Sequence, residues 1–178
     1  ALLVSAFAAL AAFGPGLRAG GLLLVACAAW LARYDIATRT VRGGGLTRYI
    51  ALCLLVGYAW LALGGVLLAT GASFDNGRAL WDAALHSILL GFVFSMVFGH
   101  APVILPAVLR VALPYSAALY APLALLHASL ALRIAGDLGA SAALRSAGGA
   151  GNALAIAVFI LTAAALALSR GRGMQSES

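Results

Sequence analysis

Residues 46–70 read LTRYIALCLLVGYAWLALGGVLLAT, and after Arg48 the stretch carries no charge. An α-helix rises about 1.5 Å per residue, so roughly 20 apolar residues cross the ~30 Å hydrocarbon core of a bilayer. This stretch is long enough to do so. Gly57, Ala59, Gly64 and Gly65 along it would let a second helix approach closely. The stretch predicts a transmembrane helix, and the chain around it repeats the pattern.

Upstream, Ala1 to Phe13 forms a short apolar run that the GPG at Gly14 to Gly16 breaks. A second run goes from Gly20 to about Ala32. A polar loop with Arg33, Asp35, Arg39, Arg42 and the glycines Gly43 to Gly45 separates it from the stretch quoted above. Downstream, a fourth run extends from near Trp81 to about Leu109, with Pro102 and Pro106 expected to kink its last third. A fifth runs from about Tyr115 to Ile134. A small-residue loop containing Gly148, Gly149 and Gly151 is expected before a sixth run, Leu154 to Leu168. The fold class is therefore all-α: a polytopic transmembrane bundle of about six helices. Residues 1–169 form one membrane domain, and 170–178 form a polar, disordered cytoplasmic tail.

Composition agrees. Of 178 residues, 64% are hydrophobic and 9% charged, whereas a soluble domain carries roughly 25% charge. The formal charge is +6, and all the basic residues are arginines at the ends of apolar runs. That distribution fits topology rather than nucleic acid, since no basic patch with interleaved aromatics is present. Placing the Arg33–Arg48 loop in the cytoplasm puts seven arginines inside and leaves Arg18, Arg78, Arg133 and Arg145 outside. Asp75, Asp82 and Asp137 then fall outside as well. Cys27 and Cys53 lie singly in apolar runs and predict no disulfide. The chain opens on Ala1 inside an apolar run with no charged segment before it. We therefore expect a processed or truncated chain rather than a signal peptide.

Polar groups are costly in hydrocarbon, so the few present are where chemistry is sought. His86 and His100 lie on the fourth run and His127 on the fifth. On a regular helix, 14 residues return His100 to within roughly 40° of His86, about 21 Å along the axis. One helix would then present two imidazoles, one near each membrane surface, facing the bundle interior. Neutral imidazole is a common ligand of metals and of heme iron, and the same spacing occurs in transmembrane cytochromes b. Gly91, Ser95 and Gly99 between the histidines would admit a flat macrocycle or another helix. Asp82 and His86 share a face at i and i+4, so the carboxylate would fix the imidazole tautomer or favour the helix start. Arg133 and Asp137 repeat that spacing, as an interfacial ion pair or with Arg133 on a heme propionate or another anion. No nucleophile–base set, HExxH, P-loop or dinucleotide-binding glycine pattern occurs.

Three segments carry a family resemblance: RYIALCLLVGYAWLALGG from Arg48, DAALHSILLGFVFSMVFGH from Asp82, and LRIAGDL from Leu132. With Tyr58 and Trp60 on one helix and an LHxxxLG segment ending near a GH, this region resembles the C-terminal half of NnrS-like membrane proteins. Those proteins are described as heme- and copper-containing and are associated with nitric oxide metabolism. Where that family has GHTGR, this chain has FGHAPVILP. The resemblance implies a multi-pass bacterial inner-membrane protein with heme or copper as cofactor and His86 and His100 as the matching positions. His127 and Arg133 complete the expected cofactor-binding set. His127 is the one possible partner for either histidine within the chain; otherwise the opposite ligand comes from other membrane subunits or a missing N-terminal portion. Two further expectations stand beside it: a cofactor-free helical subunit of a larger membrane complex, and a small-solute transporter using the Pro102/Pro106 break.

Overall fold

The computed structural model describes residues 14–71, 78–109 and 113–175. The first apolar run, Ala1 to Phe13, lies outside them. Among the described residues all regular structure is helical. The elements are α1 (Gly14–Tyr34), the short α2 (Ala37–Thr40), α3 (Gly45–Ala69), α4 (Arg78–His86), a π-helical segment (Ser87–Val93), α5 (Phe94–Leu109), a 3₁₀ turn (Ala117–Leu119), α6 (Tyr120–Leu138) and α7 (Ala142–Gln175). Among the described residues, five helical segments are long and apolar enough to span a membrane: Gly16–Tyr34, Gly45–Ala69, Arg78–Val108, Ala117–Leu138 and Ala142–Ser169. The chain is a polytopic α-helical membrane protein.

Helix ends differ from the sequence reading at several places. Gly14 to Gly16, expected as a break before a run starting at Gly20, form the first turn of α1. The glycines Gly148, Gly149 and Gly151, expected in a loop, lie inside α7. The reason is contact: a Cβ on Gly148 would sit 2.5 Å from the backbone nitrogen of Arg133, so these glycines are where α7 meets α6. The segment expected to be a disordered tail continues α7 as far as Gln175.

Helices in lipid gain little from burying apolar surface against each other. Close packing of small residues holds them instead. α1 lies along α3, where a Cβ on Gly21 would come 2.5 Å from the Gly65 carbonyl oxygen. Gly57, Gly64 and Gly65 are buried as expected, whereas Ala59 is exposed. α3 packs against the long helix formed by α4, the π segment and α5; α6 also meets that helix and pairs along its length with α7. Two apolar cores result. One gathers Tyr49, Cys53, Phe98, Leu123, Leu126 and Phe159. The other gathers Leu67, Leu68, Ala83, Ala84, Leu130 and Ile134. Leu22, Leu23 and Trp30 of α1 and Leu154, Ile160 and Leu161 of α7 are exposed and face the lipid side of the bundle. Cys27 is exposed there too, and Cys53 is buried; both are free thiols.

The irregularity in the long helix is the π segment. Pro102 and Pro106 lie within the continuous helix α5. A π turn closes on i→i+5 and takes in an extra residue, rotating the residues beyond it by about 100° relative to an unbroken α-helix. At its ends Ser87 Oγ donates to the Ala83 carbonyl (2.8 Å) and Ser95 Oγ to the Gly91 carbonyl. Gly91 sits against the ring of Trp60, where a Cβ would collide with the indole.

Candidate functional site

Gly91, Ser95 and Gly99, the small residues between the two histidines, are all buried. They face α3: a Cβ on Gly99 would lie 3.0 Å from the Cys53 Cβ, and Gly57 of α3 packs on Ser95. The occupant of that face is another helix, not a macrocycle. The histidines point elsewhere. His100 is exposed, with Leu89, Val93 and Val97 exposed along the same helix. His86 is half-buried, its side chain 25% exposed. The expectation that both histidines face the bundle interior is therefore corrected. The π segment breaks the register on which it rested, and the interior face of this helix is filled by α3.

The two imidazoles share one hydrogen-bonding arrangement. His86 Nδ1 donates to the Asp82 carbonyl (2.7 Å), and His100 Nδ1 donates to the Met96 carbonyl (2.8 Å). A carbonyl oxygen only accepts, so Nδ1 carries the proton in each, and in the neutral ring the lone pair is then on Nε2. Ligating histidines are held this way, one ring nitrogen tied to a carbonyl and the other presented to the metal. The Asp82 carboxylate lies 3.9 Å from His86 Nδ1 and does not set the tautomer; the backbone carbonyl of the same residue does. Asp82 is also the fifth residue of α4, past the first turn where an acidic side chain would favour the helix start. A groove of about 440 Å³ opens beside His86, lined by Asp82, Leu85, Leu89, Leu90, Val93 and Phe94.

His127 is built differently. Trp60 Nε1 donates to its Nδ1 (2.9 Å), with the two rings stacked at 17°. Indole N–H is only a donor, so Nδ1 is the accepting nitrogen and Nε2 carries the proton. Nε2 is buried and has no hydrogen-bond partner among the described residues. In this state it has no lone pair for a metal, so the geometry does not fit the ligand role expected for His127. Tyr58, the other half of the tyrosine–tryptophan pair, donates to Asp35 Oδ2 (2.8 Å), while Asp35 Oδ1 accepts from the Ala37 amide at the start of α2 (2.7 Å). Neither long-range bond has a signature in the local sequence.

Charged groups gather at the end of the bundle where α4 begins and α6 ends. Arg133 Nη2 donates to Asp82 Oδ2 at 2.9 Å, and Arg133 Nε faces Asp137 Oδ2 at 3.5 Å. Arg145 Nε of α7 stands 4.0 Å from Asp137 Oδ1. The result is an alternating row, Asp82–Arg133–Asp137–Arg145, that ties α4, α6 and α7 together. Asp137, expected to sit at the interface, is buried with 2% exposure. The row borders a cavity of about 530 Å³ that Arg78 and Ser146 also line. Arg18 reaches the same end, its guanidinium close over Gly71. The four arginines expected to share one membrane side are thus together. Ligand atoms of Asp82, His86 and Asp137 lie within 4.8 Å of one another, a set of metal-binding type. The Arg133 guanidinium already bridges the two acids, so a cation of the protein's own stands where a metal would.

Comparison with protein families decides the relationship. The chain belongs to the family described as a domain of unknown function, DUF8744. The family matches residues 1–168, which takes in the five spans among the described residues apart from the last residue of α7's. No curated protein and no solved structure matches the chain. The histidine pair, the Trp60–His127 bond and the charged row all lie within the part that defines this DUF8744 family member.

Proposed function

We propose that this protein is a multi-pass protein of the bacterial inner membrane that supplies histidine ligands to a heme or copper centre of redox or nitric oxide chemistry. The supporting observation is the shared state of His86 and His100, each with Nδ1 on the carbonyl four residues back and, in the neutral ring, the lone pair on Nε2. The resemblance to NnrS-like proteins points to the same two positions. A bound heme iron or copper ion would supply one-electron chemistry and a coordination position for a small gas. About 21 Å apart along one helix, His86 and His100 would each hold a separate centre, and the opposing ligand of each would come from another membrane subunit or a segment outside the described residues. Arg133, hydrogen-bonded to the residue whose carbonyl holds His86, is the nearby cation to counter a heme propionate. His127 is left out of the ligand set.

A cofactor-free subunit of a larger complex is the second reading. It is favoured by the filling of the small-residue face by α3 and by the exposure of His100. The transporter reading has less to build on, since Pro102 and Pro106 lie within unbroken helix rather than an unwound segment. The experiment is purification in mild detergent with an optical spectrum and metal analysis. Heme or copper in the parent, and its loss from His86→Ala or His100→Ala, supports the first reading; a well-folded parent with neither favours the second. The orientation proposed is Arg33–Arg48 inside. Single cysteines introduced near Arg42 and Arg145 test it. Periplasmic labelling is expected at 145 alone, and labelling at 42 overturns the orientation.

A further inference from the structure

At the end of the bundle opposite the charged row, α1 passes through the short α2 into α3. Residues 33–42 there carry three arginines, Arg33, Arg39 and Arg42, against one acid, Asp35, a net 3 − 1 = +2. All three arginines are exposed, and none forms an ion pair among the described residues. Asp35 is engaged elsewhere. Its Oδ2 accepts from the Tyr58 hydroxyl and its Oδ1 from the Ala37 amide, so both oxygens already have donors from the fold. Arg33 and Arg39 line a recess of about 290 Å³ that Tyr34, Asp35, Ile36 and Thr38 complete. Thr38 Oγ1 donates to the Asp35 carbonyl (2.9 Å), which fixes the chain between the two arginines.

An apolar flank adjoins this cationic recess. Trp30, Tyr34 and Ile36 are 60%, 68% and 70% exposed, and the Trp30 and Tyr34 rings stand 5.8 Å apart. Aromatic rings and arginines at the end of a span mark the membrane–water interface, where headgroups lie. We propose that the recess binds an anionic phospholipid. Its phosphodiester would be met by Arg33 and Arg39, with Arg42 adding to the positive field, and its acyl chains would lie along Trp30, Tyr34 and Ile36. A zwitterionic headgroup fits less well, because its ammonium needs a free carboxylate or an open aromatic face. Both Asp35 oxygens are taken, and the Arg33 guanidinium already stands over the Tyr34 ring, 5.4 Å from its centroid. A soluble phosphate could use the arginines but would leave the apolar flank without a partner. The inference depends neither on the histidine ligands nor on which side of the membrane this end faces.

The test uses the full chain reconstituted in dioleoylphosphatidylcholine bilayers. Part of the lipid is replaced by phosphatidylglycerol or phosphatidylcholine with brominated acyl chains, which quench tryptophan on contact. The ratio of the two quenching curves gives the preference for the anionic lipid. A preference of about tenfold or more is expected in the parent. Arg33→Gln and Arg39→Gln should each reduce it about fivefold, and the double variant should abolish it. These side chains are exposed, so the variants should keep the parent circular dichroism. Trp30→Phe should lose the quenching specific to phosphatidylglycerol. Arg145→Gln, which removes the same charge at the other end of the bundle, should keep the parent preference. Inorganic phosphate at matched ionic strength should displace no lipid. Equal quenching by the two lipids, an undiminished preference in the double variant, or anionic-specific quenching that survives in Trp30→Phe would overturn the proposal. So would a loss in Arg145→Gln as large as in Arg33→Gln, which would mean attraction by net charge, or displacement by inorganic phosphate, which would give the recess to a soluble anion.

Discussion

Replacing Arg133 by alanine isolates the energetics of the charged row. The Asp137 side chain is 1% exposed and Arg133 21% exposed. Without Arg133, Asp137 remains charged in a poorly solvated place with one cation, Arg145, 4.0 Å away. Breaking a buried pair by removing one partner costs about 3–5 kcal/mol, because the other charge is left uncompensated. The lost bond to Asp82 adds little, since that carboxylate is 41% exposed. The remaining Arg145 offsets part of the loss, which places the expected cost at about 3 kcal/mol. For a chain of this size each kcal/mol moves Tm by about 2–4 °C, so Arg133→Ala should unfold roughly 6–12 °C earlier. Removing both charges, Arg133→Met with Asp137→Leu, leaves only the well-exposed Asp82 and Arg145 without their partners and should recover at least about half of that loss. Scanning fluorimetry of the detergent-solubilised variants measures both. A fall under about 2 °C in the single variant, or a double variant as unstable as the sum of the two single changes, would refute the account of Asp137 as a buried charge held by Arg133.

Gly148→Ala gains about 1 kcal/mol of helix propensity but drives a methyl into the Arg133 backbone, 2.5 Å from its nitrogen. Overpacking of about 1–3 kcal/mol against atoms that cannot rotate away should make it net destabilising, read as a lowered Tm; a rise in Tm would contradict the close α6–α7 contact. Trp60→Phe removes the donor to His127 Nδ1 and should cost about 1 kcal/mol. Nitrogen-15 NMR of labelled histidine should show His127 with its proton on Nε2 in the parent and released from that single tautomer in the variant. An Nδ1–H tautomer in the parent would contradict the bond.

How much of the molecule is readable from its sequence varies with the physics involved. Spans such as Gly45–Ala69 follow from the absence of charge over a bilayer's thickness, a property of composition alone. The glycine cluster of 148–151 misleads because glycine at a loop and glycine at a helix contact look alike in sequence; only the Arg133 backbone across from it tells them apart. The histidine register failed for a related reason. Nothing in SILLGFV announces a π turn, yet it reorients everything after it. Arg133 and Asp137 were legible as an i, i+4 pair. The depth of Asp137 and its second arginine were not, because Arg145 arrives from another helix. The bonds Trp60–His127 and Tyr58–Asp35 join residues far apart in the chain, and no local pattern encodes them.

The proposed function rests on His86 and His100, and not His127, being presented for ligation. The most direct measurement is the optical spectrum of the purified protein beside His86→Ala, His100→Ala and His127→Ala, each first shown to be folded by circular dichroism. The expected result is a Soret or copper absorption band in the parent that persists in His127→Ala and is lost or shifted in the other two. A band that vanishes in His127→Ala while surviving in His86→Ala and His100→Ala would contradict it.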